Sequence, residues 1–275
     1  MIIIKLRGGL GNQLFQYGLG RNLALEHKTD LKLDIEWFTD IPDRQFELNN
    51  FTSVAKIATP LEIRKLRNSF SKRAKNILKP YNQRTVVKER FFHFDPAILE
   101  VGPDVYLDGY WQSAKYFTKS APLIQKELTV KIDPIGRNRL LLSQIQNTKA
   151  VSLHVRRGDY VANSHTNQFH GTCSLEYYRA AVSFIAYKLK QPHFYIFSDD
   201  PLWTKKNLKL KYPTTYVTHN SNAPCEDLRL MSHCQHFIIA NSTFSWWAAW
   251  LGETNNSIIV APFPKENITT WDYAF

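Results

Sequence analysis

The chain has 275 residues, 44% of them hydrophobic and 21% charged, which suits one large or two small globular domains and excludes wholesale disorder. Lys and Arg number 35 against 24 Asp and Glu, a net charge of +11 that points to an anionic partner: nucleic acid, a nucleotide or an acidic membrane surface. No apolar run reaches the roughly 18 residues of a membrane span, the opening Met1–Arg7 is too short and too charged for a signal peptide, and Cys173, Cys225 and Cys234 are too few for a disulfide framework, which indicates a reducing compartment.

Residues 2–7 read as an apolar strand that begins at once. Gly8-Gly9-Leu10-Gly11-Asn12-Gln13 follows as a glycine-rich turn, and 13–27 as a helix with Leu14, Tyr17, Leu19, Leu23 and Leu25 on one face. With a second strand at 31–35, this opens a doubly wound α/β domain. Residues 59–79 read as a helix ending before Pro80, 105–108 as a strand and 113–128 as a helix. Ile132-Asp133-Pro134-Ile135-Gly136 reads as a linker, dividing the chain into domains 1–135 and 136–275. Strands are expected at 150–155, 193–197, 215–218, 236–240 and 257–261, with helices at 174–190, 201–209, 226–234 and 243–251. Such alternation means a parallel sheet covered on both faces, and ligands of such sheets bind at the carboxyl ends of the strands.

The residues just past those ends are the candidates. His154, Arg156, Arg157 and Asp159 follow one strand, and paired arginines there suit phosphate oxygens better than a single structural ion pair. Asn241, Ser242, Thr243, Phe244 and Ser245 follow another; Ser242 or Thr243 caps the next helix, whose start is also an anion site, while the Phe244–Trp250 stretch packs that helix into the core. In Ser198-Asp199-Asp200-Pro201 the two acids are adjacent, so their side chains diverge and suit shared metal coordination poorly. Asp200 reads as a helix cap and Asp199 as the partner that holds an arginine. Cys225, His233, Cys234 and His236 fit no standard zinc spacing, and buried thiols are the plainer reading. The glycines of 8–11 match neither the dinucleotide fingerprint nor a P-loop.

Jointly, Gly8–Tyr17, His154–Tyr160, Phe197–Asp200, Asp227 and Asn241–Trp247 resemble glycosyltransferase family 11, the α-1,2-fucosyltransferases, in the short bacterial form without a membrane anchor. The resemblance implies the GT-B arrangement, two Rossmann-like domains facing across a cleft, with the acceptor on the amino-terminal domain and the donor on the carboxyl-terminal one. It implies GDP-β-L-fucose as donor, a β-galactoside as acceptor, an inverted α-1,2 linkage and no metal or other cofactor. By similarity to related fucosyltransferases, Arg156 would hold the β-phosphate, His154 would lie near the guanine or ribose, and Asp227 would pair with the guanine N–H groups. Asn12 would lie near the fucose or phosphate, with Gly11 and Gln13 beside it. Arg157, Asp199, Asn241, Ser242, Thr243, Phe244 and Ser245 complete the expected donor set. Related α-1,6 enzymes carry a glutamate a few residues past the arginines as the proposed base; here Val161–Ser164 has no carboxylate. Asp159 is then the first candidate base, with a salt bridge to Arg156 or Arg157 as its alternative role.

Two rival functions fit less well. A nucleic-acid binder would explain the charge, but no recognition-helix, RRM or OB signature is present. A non-catalytic glycan-binding protein needs neither the arginine pair nor the anion site. With no export signal and no anchor in the sequence, the chain is expected to be soluble in the cytoplasm, where GDP-fucose is made. The ten Lys and Arg between Arg64 and Arg90 read equally as a solvated surface or as a weak peripheral attachment to anionic membrane, where a lipid-linked acceptor would lie.

Overall fold

The computed structural model describes residues 1–41, 44–67, 76, 78–158 and 172–262. The chain forms two compact units, divided between Lys131 and Ile132 and so four residues before the 135/136 boundary expected from the linker.

In the first unit five strands, β1 (Ile2–Lys5), β2 (Leu31–Asp34), β3 (Lys56–Ile57), β4 (Val86–Lys88) and β5 (Val105–Asp108), form one sheet in the order β3-β2-β1-β5-β4, every pair parallel. Ile2, Ile3 and Ile4 are fully buried, as β-branched residues of a central strand covered on both faces should be. Helices α1 (Leu10–Glu26), α2 (Pro60–Arg67) and α3 (Ala121–Glu127) accompany the sheet. The chain builds β1, β2 and β3 outward on one side and then places β5 on the other side of β1. That reversal between β1 and β5 is the switch point at which such sheets bind ligands.

The sequence expectations shift most at three places, while the ends of several second-unit elements move by one or two residues. Helix α1 starts at Leu10 rather than 13, because Gly9 takes an extended cap conformation (φ −75°, ψ 175°). The expected helix at 113–128 is instead two short 3-10 turns, Ala114–Tyr116 and Thr118–Ser120, followed by α3, whose first turn carries Pro122. A proline lacks the N–H that a helix interior needs and fits only the first turn. Of the helix expected at 59–79, α2 reaches Arg67, and 68–75 and 77 lie outside the described residues.

The second unit holds α4 (Gly136–Gln146), β6 (Ala150–Val155), α5 (Leu175–Lys188), β7 (His193–Ser198), α6 (Pro201–Asn207), β8 (Thr214–Val217), α7 (Pro224–Ser232), β9 (His236–Ile238), α8 (Thr243–Gly252) and β10 (Ile259–Val260). Its sheet is again all parallel, in the order β10-β9-β6-β7-β8, with the switch point between β6 and β9. All six residues of β6 are buried. Val151, Leu153 and Val155 pack with Tyr178, Val182 and Ile185 of α5 and with Phe194 and Ile196 of β7. Trp246, Trp247 and Trp250 of α8 are buried, each contributing on the order of 2–3 kcal/mol by removal from water. They fill the core, as the sequence pattern implied.

The last turn of α8 crosses the end of α7 closely. A Cβ at Gly252 would lie 2.0 Å from the Ser232 carbonyl oxygen and 2.9 Å from the Phe237 ring. Backbone cannot yield as a side-chain tip can. Gly252→Ala is therefore expected to destabilise the chain by about 3 kcal/mol, at the upper end of overpacking effects. Urea denaturation measures it, and an unchanged midpoint would show that the two helices separate freely.

Candidate functional site

At the carboxyl end of β6, register brings Val155 beside Ser198 of β7, and the two chains leave the sheet side by side. Arg156 Nε then pairs with Asp199 Oδ2 at 3.2 Å, while Asp199 Oδ1 accepts from the Arg157 backbone N–H at 2.8 Å. One carboxylate thus fixes both the first arginine and the turn that carries it. Gly158 leaves room for this, since a Cβ there would approach Asp199 Oδ2 to 3.2 Å. Arg157 faces α6: its guanidinium lies 4.0 Å from the Trp203 ring centroid and its Nε 3.6 Å from Asp200 Oδ2. The arginine pair is therefore split, one against Asp199 and one stacked on Trp203. Asp200 caps α6 through Trp203 N–H at 3.1 Å. Asp159 lies outside the described residues.

His154, one residue before the end of β6, is buried, with its ring 5.5 Å from that of Phe244. Burial, reinforced by the charge of Arg156, lowers its pKa to about 3, so the imidazole is neutral at working pH and adds no positive charge. Its Nδ1 is buried without a hydrogen-bond partner.

Across the switch point, β9 leads into α8. The Ser242 hydroxyl caps that helix, accepting from Phe244 N–H at 3.3 Å. Thr243, Phe244 and Asn241 are half-buried at this helix start. Ser245 departs from its expected place among the donor contacts. It is fully buried, and its hydroxyl accepts from Ala240 N–H and donates to the Ala240 or Ser242 carbonyl, each at 3.2 Å. It locks the strand-to-helix turn.

Asp227 sits in the first turn of α7 and accepts from Asn220 Nδ2 at 2.9 Å. Asn220 and Asn138 exchange hydrogen bonds at 3.0 and 3.1 Å, and the His219 ring donates to Asn138 Oδ1 at 2.7 Å. Burial pushes the Asp227 carboxyl up to about 7. His219 and Asn220 follow β8, where the strand-end rule applied to every strand would have found them; Asn138 lies on α4, which carried no sequence signal.

In the first unit, Gly8 has φ +80°, a conformation suited to glycine, and a Cβ there would meet Asn12 Nδ2 at 2.5 Å. Gly11 is buried in the first turn of α1, and Asn12 is half-buried, accepting from Gln112 Nε2 at 2.8 Å. Gln13 also departs from its expected donor contact. Fully buried, it donates to the carbonyls of Gly8 (3.1 Å) and Gln45 (2.8 Å) and accepts from Glu47 N–H (2.9 Å), which ties the glycine turn to 45–47. Gln16, one turn on and also fully buried, accepts from Arg7 N–H at 3.0 Å and donates to Gly109 at 3.1 Å, joining the loops after β1 and β5. Among the described residues no three His, Cys, Asp or Glu side chains are grouped to hold a metal ion.

Two doubly wound units, each an all-parallel sheet with its own switch point, are the α/β architecture of the GT-B glycosyltransferase fold class. The sequence profile of Glycosyl transferase family 11 matches residues 1–270, and the chain belongs to that family of enzymes. It is 29% identical to an alpha-1,2-colitosyltransferase of Escherichia coli over 99% of this chain and 96% of that one. It is 32% identical to the O-antigen biosynthesis glycosyltransferase WbnK of Escherichia coli, over 94% and 92%. Its fold is similar to that of POFUT1 in complex with GDP-fucose, with a TM-score of 0.53 at 15% identity over 94% of this chain and 97% of that one.

Proposed function

We propose that the chain is an inverting α-1,2-fucosyltransferase that moves L-fucose from GDP-β-L-fucose to the 2-hydroxyl of a terminal β-galactoside in O-antigen or related glycan synthesis. The observation that carries this is Arg156, set at the end of a buried central strand by Asp199. A guanidinium offers five donors and serves a carboxylate and a phosphate together. As the glycosyl bond breaks, charge develops on the leaving diphosphate. Arg156 and the start of α8 stabilise it, while the sugar passes through an oxocarbenium-like state. His154, Asn241, Thr243 and Phe244 line the donor, Asp227 reads the guanine, and Asn12 contacts the fucose or phosphate with Gly11 beside it. Asp159 takes the proton of the attacking hydroxyl.

The colitosyltransferase relative supports a second reading, in which the donor sugar is colitose, fucose without its 3-hydroxyl. Linkage analysis of products from a panel of galactosides, offered GDP-fucose and GDP-colitose in parallel, decides between them. A fucosyl α-1,2 product is expected; a product from GDP-colitose alone, or a different linkage, overturns the first reading.

The positive groups replace the metal of other transferases, so transfer in excess EDTA is expected at close to the normal rate. Complete loss restored by manganese would refute this. No helix among the described residues is long and apolar enough to cross a membrane. If the acceptor is lipid-linked, basic side chains of 64–90 meet the anionic surface, each worth about 1 kcal/mol where it reaches the headgroups. Sedimentation with anionic vesicles at low salt, and its loss at physiological salt or with neutral vesicles, is the expected pattern. Full recovery in the supernatant throughout leaves the stretch as a solvated surface.

A further inference from the structure

Several uncommon features of the first unit converge on one amide. Glu89, just past β4, accepts from the backbone N–H groups of Tyr110 (2.7 Å) and Trp111 (2.8 Å) in the loop after β5. The approach is so close that a Cβ at Gly109 would lie 2.5 Å from Glu89 Cβ and 2.6 Å from the Trp111 ring. Trp111 itself is fully buried with φ +56°, in the left-handed region that a bulky residue rarely occupies. Such a conformation persists only where its surroundings over-determine it, and here two backbone N–H hydrogen bonds to one carboxylate and a closed core do so. The loop's opposite end is tied down by Gln16, which donates to Gly109. What the forced turn delivers is the next residue: Gln112 donates to Asn12 Oδ1 at 2.8 Å. On the other side of Asn12, the absence of a side chain at Gly8 makes room for Nδ2.

We infer that Glu89, Trp111 and Gln112 are positioning residues that orient the Asn12 amide, holding Oδ1 inward and presenting Nδ2 as the hydrogen-bond donor. A side-chain amide is pseudo-symmetric, and turned round it offers an acceptor where a donor is needed. Developing negative charge on the donor substrate requires the N–H face. The loop after β5 thus acts on the reaction through Asn12, without touching the substrate itself. This rests on the reading of Asn12 as a donor-contact residue.

The test is a double-mutant cycle in the full-length enzyme, with the donor that the wild-type chain turns over and lactose as acceptor. Gln112→Met keeps the length and removes the donor; Glu89→Gln keeps the size and turns an N–H toward one of the two backbone groups. Each is expected to lower kcat by about ten- to a hundredfold through misorientation. KM for the donor, GDP affinity and melting temperature should stay close to wild type for Gln112→Met. In the Asn12→Ala background, Gln112→Met should have almost no further effect, because its partner is gone. Gln112→Glu, which accepts rather than donates, should fail to restore activity. An undiminished effect of Gln112→Met in the Asn12→Ala background, or a normal rate for Gln112→Glu, overturns the inference. Full activity of Asn12→Ala overturns the reading of Asn12 as well, so the two failures are told apart.

Discussion

Replacing Arg156 with alanine is expected to lower the transfer rate by two to three powers of ten, about 3–4 kcal/mol of transition-state stabilisation, with little change in stability. Under the proposed function the guanidinium would face charge that grows only as GDP departs, so its contact would be stronger in the transition state than in the ground state. Stability is spared because the side chain is 22% exposed and because Asp199, itself 23% exposed, keeps its hydrogen bond from the Arg157 N–H. Arg156→Lys should be nearly as poor. An ammonium carries the charge, but cannot hold Asp199 along one edge and a phosphate along the other. Steady-state rates with GDP-fucose, with circular dichroism melts of both variants, measure the two effects. Near-normal turnover by the lysine variant would remove Arg156 from the assigned role.

Much of this geometry was legible because it obeys short-range rules. Strand ends in a parallel sheet gather polar residues at one edge, so His154, Arg156, Asp199 and Ser242 could be named from the positions of strands alone. The Asp200-Pro201 pair announced a cap, and the structure forms one. Other features depend on contacts that sequence spacing does not encode. Asn138 and Asn220 are 82 residues apart and meet only because α4 packs near the loop after β8. Strand β3 has two residues and β4 three, too few for any period to register. Gln13 and Ser245 looked like ligand contacts by their position in a motif, yet both are buried with their hydrogen bonds satisfied within the chain. A motif marks residues that must be as they are; it does not separate those that touch a substrate from those that hold the turn in shape. The left-handed Trp111 is invisible to propensity, since a large aromatic is among the last residues expected there.

GDP binding is expected to weaken as pH falls below about 7 and to release a proton, through Asp227. Burial raises this carboxyl from 3.8 to about 7, against the opposing hydrogen bond from Asn220. If guanine N–H groups donate to it, the complex favours the anion, its pKa drops on binding, and the proton leaves. Affinity then changes by up to about tenfold per pH unit below 7 and is flat above it. The same shift acts on folding with the opposite preference. A carboxyl whose pKa is higher folded than unfolded stabilises the fold fully below the unfolded value, and that contribution is lost as pH rises through the folded one. The unliganded chain should therefore lose stability on the order of 2–4 kcal/mol from this group between pH 4 and 7. His154 acts with the reverse sign, because burial lowers its pKa from 6.5 to about 3. The difference between the wild type and Asp227→Asn isolates the carboxyl. That variant should bind GDP about 10- to 100-fold more weakly at pH 8, as expected for loss of charge-assisted hydrogen bonds, and should lose both the pH dependence and the proton release. Calorimetry in buffers of differing ionisation enthalpy counts the proton directly. Equal proton release by Asp227→Asn would assign the titration to another group and remove Asp227 from the guanine site.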